Sequence, residues 1–115
     1  MQLSTIMIFI VATLHVLFFI LESVLWTSPK VMRIFGTAQT EAQTTKVLAL
    51  NQGFYNLGAA ALLIWYYTAD NLQAVMGVLL FLASMGCVGA ITANWRIFLL
   101  QSLPALMAFS FLYLT

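Results

Sequence analysis

Charge is the scarcest thing in this sequence. Four basic and three acidic side chains share 115 residues, 6% of the total, where a soluble domain carries about 25%. Four scattered cations cannot build a phosphate-binding face, so nucleic acid is excluded as a partner. The one cysteine, Cys87, has no mate for an internal disulfide and sits inside an apolar run, where it reads as a small packing residue. One histidine, one cysteine and a single carboxylate within an apolar span fall short of the three or four protein ligands of a usual metal site. There is no glycine-rich phosphate loop and no serine–histidine–acid pattern. No metal and no cofactor is called for.

What fills the chain instead is apolar surface. Hydrophobic residues make up 63% and the mean hydropathy is +1.04. A chain this short cannot bury that much apolar surface inside itself, so lipid must solvate the outside. The expected fold is all-α: a polytopic membrane protein whose four transmembrane helices form an antiparallel bundle, a single domain over residues 1–115. The spans are placed at about 3–26, 47–67, 72–93 and 97–114.

The first begins with 19 residues, Leu3 to Leu21, that carry no formal charge, against the roughly 20 needed to cross about 30 Å of hydrocarbon. No basic residue precedes this run and no small-residue cleavage site follows, which favours a span over a signal peptide. It should stop at Thr27-Ser28, ahead of Pro29. Between the first two spans, Pro29–Phe35 sets Val31, Ile34 and Phe35 against Lys30 and Arg33. That pattern suits a short amphipathic helix in the headgroup layer, ended by Gly36. From about Thr40 a polar helical extension leads into the second span, which finishes in Trp65-Tyr66-Tyr67 at headgroup level.

The third span carries Gly86/Ala90 and Gly89/Ala93 at small-xxx-small spacing, a packing face either within the bundle or toward a homodimer or membrane partner. In the fourth, Pro104 lacks an N–H and crowds the carbonyl of Leu100, so a kink is expected near Gln101. Lys30, Arg33, Lys46 and Arg96 all fall on the first and third connections, four basic residues to none on the other side. By the positive-inside rule that side is cytoplasmic, which places the protein in the cell (inner) membrane as a multi-pass protein with both termini outside the cytoplasm.

The polar residues gather in the cytoplasmic half. On the first span His15 and Glu22, seven apart, project about 20° from one another. On the second, Asn51 and Tyr55 are four apart, as are Gln52 and Asn56, and together the four cover an arc of roughly 140°. That is too wide for one partner helix. The arc can meet His15 and Glu22 on one side and Gln101 on the other, with Gly53 allowing close approach. An ionisable group within a span costs a few kcal/mol and points into the bundle or a wet cavity. His15, Glu22, Asn51, Gln52, Tyr55, Asn56 and Gln101 therefore form the candidate ligand-binding set. The same residues could also serve as interhelical glue, at about 0.6 kcal/mol per hydrogen bond.

The series His15, Glu22, Trp26-Thr27-x-Pro29, Phe35-Gly36, Lys46-Val47-Leu48-Ala49-x-Asn51-Gln52-Gly53-x-Tyr55-Asn56 and Gln101-x-x-Pro104-Ala105 resembles the small bacterial membrane proteins grouped as domain of unknown function 1304. The resemblance covers essentially the whole chain, and Asn-Gln-Gly-x-Tyr-Asn is its most specific part. It implies a four-helix integral membrane fold and no established activity, ligand or catalytic residue. Three classes of function fit the residues. A polar pocket could hold a small amphipathic or lipid-like molecule. Glu22 could couple protons to export of a small molecule, although it lies near the membrane edge. The third-span face could make the protein a structural or regulatory subunit. An enzyme is disfavoured, the one conceivable arrangement being proton transfer among His15, Glu22 and Tyr55.

Overall fold

The computed structural model describes residues 1–115. The chain is all-helical: α1 is Leu3–Phe19, α2 Pro29–Phe35, α3 Gln39–Thr68, α4 Leu72–Thr92 and α5 Leu103–Tyr113. Two π-helical turns interrupt this series, Ile20–Val24 directly after α1 and Phe98–Ser102 directly before α5. Three helical segments, Leu3–Val24, Gln39–Thr68 and Leu72–Thr92, are long and apolar enough to cross a membrane. Phe98–Tyr113 is a shorter apolar helix. This is a membrane protein by the physics of its surface: each long helix buries only about a quarter of its most apolar window and turns the rest, with residues such as Phe81 and Ile91, outward.

Two compact units divide the chain, His15–Gly58 forming one and Met1–Leu14 with Ala59–Thr115 the other. The larger unit has a single core. It draws Ile8, Val11 and Ala12 from α1, Ala60 and Leu63 from α3, Val75, Leu79, Leu82 and Ala83 from α4, and Ala105 and Ala108 from α5. These positions recur three, four or seven apart along their helices, the spacing of a single apolar stripe. Near the start of α1 the hydroxyls of Thr5 and Tyr67 are hydrogen-bonded at 2.7 Å, and Phe9 meets the Tyr67 ring edge-on. The connection from α3 to α4 is a tight turn through Asp70, whose φ of 60° lies in the left-handed region, and Asn71, whose side chain caps α4 by accepting from the Ala74 N–H.

In the smaller unit the connection between the long helices is built from short-range capping. Ser28 is extended, as a residue before proline prefers, and its hydroxyl accepts from the Val31 N–H at 3.3 Å. Gly36, at φ 66°, closes α2 in the left-handed conformation that glycine adopts without penalty. α3 then opens with the Glu41 carboxylate accepting the Ala38 N–H at 3.1 Å, half of a capping box. The first helical segment ends at Val24, short of the expected Trp26 to Ser28. The π turn exhausts it first, and Ser28 belongs to the start of α2.

Candidate functional site

Each π turn delivers a serine to a glycine on a neighbouring helix. In the first, Leu25 N–H reaches five residues back to the Ile20 carbonyl at 3.0 Å, and Ser23 Oγ donates to the Leu50 carbonyl at 2.8 Å. Opposite lies Gly53, where a Cβ would collide with Ser23 Oγ and stand 3.0 Å from the Ser23 backbone nitrogen. In the second, Leu103 N–H bonds the Phe98 carbonyl, Ser102 Oγ donates to the Ala83 carbonyl at 2.7 Å, and a Cβ on Gly86 would collide with Ser102 Oγ. In both pairs the acceptor carbonyl stands three residues before the glycine. At Phe98–Ser102 the cause is visible in the sequence: Pro104 has no N–H for the Leu100 carbonyl, and the chain answers with a wider turn.

The first π turn also positions the site. Glu22 is half-buried beside Ser23, and Asn56 Nδ2, one turn beyond Gly53 on α3, donates to Glu22 Oε1 at 2.6 Å. A cavity of about 260 Å³ opens at this point, lined by Glu22, Ser23, Val24, Trp26, Thr27, Lys46, Val47 and Leu50. Its rim is held by aromatic and hydroxyl contacts: Trp26 Nε1 donates to Thr45 Oγ1 at 3.1 Å and the indole packs on Phe35 at 5.2 Å. Val24, Val47 and Leu50 make part of the lining apolar, and Glu22, Lys46 and the hydroxyl-bearing Ser23 and Thr27 make part of it polar.

The family model described as Protein of unknown function (DUF1304) matches residues 9–113. The chain belongs to this family. No curated protein and no solved structure matches it. The part of the chain matched to the DUF1304 family takes in both π turns, the cavity-lining residues and the whole of α2, α3 and α4.

Of the residues expected at a site in this DUF1304 chain, the structure brings Glu22 and Asn56 together. His15 is 1% exposed and meets the Phe18 ring edge-on at 5.1 Å. Because the π turn adds a residue to one turn of helix, the 20° projection expected between His15 and Glu22 does not carry across it. Asn51 donates to the Val47 carbonyl of its own helix at 2.8 Å and is exposed, as are Gln52 and Tyr55, the last by 76%. Gln101 belongs to the other compact unit, where its Nε2 donates to the Leu82 carbonyl at 3.0 Å. Gly86 and Gly89, expected on a packing face, turn to Ser102 and Ile97 of the same chain; Ala90 is half-buried and Ala93 exposed.

Sequence reasoning did not single out Ser23, Thr27 and Lys46, which line the cavity, or Ser102, which packs at Gly86. A signal was present for some of them. Lys46, Leu50 and Gly53 are spaced i, i+4, i+7 on one helical face, so the glycine already marked the face on which Lys46 stands. Glu22-Ser23 and Gln101-Ser102 are matching polar pairs in apolar spans.

Proposed function

We propose that the protein binds a small amphipathic or lipid-like molecule in the cavity beside the first π turn. One observation carries this reading: a half-buried carboxylate, fixed through one oxygen by Asn56, shares a cavity with a lysine and apolar side chains. A ligand with a polar head and an apolar body matches this mixed lining. The proposal treats residues 1–115 as one domain, with Phe98–Tyr113 as a fourth crossing of an antiparallel bundle. It sets the cavity at the cytoplasmic face of the cell membrane with both termini outside, a topology supported by Lys30, Arg33, Lys46 and Arg96 on one side. His15, Asn51, Gln52, Tyr55 and Gln101 stand outside the cavity lining and enter the proposal as framework residues. Export of a small molecule and assembly through the Gly86 to Ala93 face draw no comparable support.

Native mass spectrometry of the detergent-extracted protein tests this. A molecule bound one-to-one should survive detergent exchange, and Val47→Trp, which fills the cavity from an exposed position, should remove it while leaving helical content unchanged. A wild-type protein that carries no such molecule, or a Val47→Trp protein that retains it, would overturn the proposal.

A further inference from the structure

We infer that the ligand head is a zwitterion bearing a primary ammonium and a phosphate, the chemistry of a phosphoethanolamine group. The inference rests on the binding reading above and adds the class of headgroup. The cavity places Glu22 and Lys46 in one lining of about 260 Å³, together with the hydroxyl-bearing Ser23 and Thr27. Glu22 accepts its hydrogen bond from the amide of Asn56, and no ion pair joins it to Lys46. Ser23 is engaged with the Leu50 carbonyl, which leaves Thr27 as the other hydroxyl-bearing residue of the lining.

A ligand of one charge sign cannot satisfy this lining. An anion would meet Lys46 but be repelled by Glu22, a cation the reverse, and a neutral group would leave the half-buried Glu22 without a counter-ion. A zwitterion answers both: its phosphate takes the Lys46 ammonium and the Thr27 hydroxyl, and its amine donates to Glu22. Because the carboxylate is acceptor-only, a primary ammonium with three N–H donors gains hydrogen bonds that a trimethylammonium cannot make. The cavity lies where the first long helix ends, next to Trp26 and Thr27, a setting for a headgroup with its apolar body along Val24, Val47 and Leu50.

The test uses the full-length protein in a non-ionic detergent with four probes: lysophosphatidylethanolamine, lysophosphatidylcholine, lysophosphatidylglycerol and the soluble O-phosphoethanolamine. Expected is a preference of about tenfold or more for lysophosphatidylethanolamine over the other two lipids, the worth of one charge-assisted hydrogen bond. Glu22→Gln, which can still accept from Asn56, should erase the preference for the primary amine; Lys46→Gln should weaken all phosphate-bearing probes and Lys46→Arg should not. Equal affinity for O-phosphoethanolamine would assign a soluble zwitterion, and a requirement for the acyl chain a lipid; both sustain the headgroup chemistry. Equal binding of the three lysolipids would overturn it while leaving the amphiphile reading intact. Failure of every probe to bind would also overturn the headgroup assignment, and the amphiphile reading would then stand or fall on the native mass spectrum.

Discussion

Replacing Gly53 with alanine should unfold the protein more easily, for a reason that can be worked through atom by atom. A Cβ there collides with Ser23 Oγ and stands 3.0 Å from both Ser23 Cβ and the Ser23 backbone nitrogen. Moving the Oγ aside is not enough, since the backbone atom must also give. Overpacking of this kind costs about 1–3 kcal/mol. Displacing Ser23 from the Leu50 carbonyl removes a further ~0.6 kcal/mol typical of an interhelical bond in membranes. Against this, alanine is the better helix former by up to about 1 kcal/mol. The net expectation is a loss of roughly 0.5–2.5 kcal/mol. Gly58 supplies the control, because nothing lies within 4 Å of a Cβ there and Gly58→Ala should be neutral or mildly stabilising. Reversible unfolding in mixed detergent micelles measures both. Adding Ser23→Ala to Gly53→Ala should recover part of the loss, with coupling visible in a double-mutant cycle. A Gly53→Ala protein as stable as Gly58→Ala would refute the serine–glycine contact.

The second π turn makes the same demand: Gly86→Ala, which meets Ser102 Oγ and places a Cβ 2.9 Å from the Ser102 nitrogen, should destabilise by a comparable ~0.5–2.5 kcal/mol. Gly77→Ala, with open space around it, should not, as the same unfolding assay will show. Tyr67→Phe removes the partner of Thr5 and should cost about 0.6 kcal/mol, and Thr5→Val in that background should cost nothing further for the bond. For the topology, cysteines placed singly at Lys30 and Asp70 in a Cys87→Ala background should label from opposite sides of the membrane. Labelling of both from one side would remove the proposed arrangement.

Much of the fold was legible because lipid solvation leaves a plain record in sequence. Long uncharged runs gave the three long helices, Gly36 and Pro29 bounded α2, and the polar stretch before Val47 was read as helical, as α3 from Gln39 shows. Pro104 announced an interruption near Gln101 but not its form, since a missing N–H can be answered by a bend, a water or a wider turn. Nothing comparable announces the turn at Ile20–Val24, where no proline follows within the helix. There the close fit of Ser23 on Gly53 is a tertiary fact, and tertiary packing overrides local helix preference. Of the candidate site, one contact was legible. Glu22 and Asn56 stood out as polar residues in apolar helices and meet. Helical spacing alone could not tell that Asn51 would bond its own Val47 carbonyl, or that Lys46, read as the end of a polar helical extension on the cytoplasmic side, would line a cavity with Glu22.

The most direct test of the cavity is to find where an amphiphile sits. A lysophosphatidylethanolamine carrying a photoactivatable diazirine near its glycerol should, on illumination in micelles, modify peptides containing Val24–Thr27 and Lys46–Leu50, and excess unlabelled lipid should compete the signal away. Labelling spread evenly over the outward-facing residues of the long helices, unaffected by competitor, would contradict the binding cavity on which the account rests.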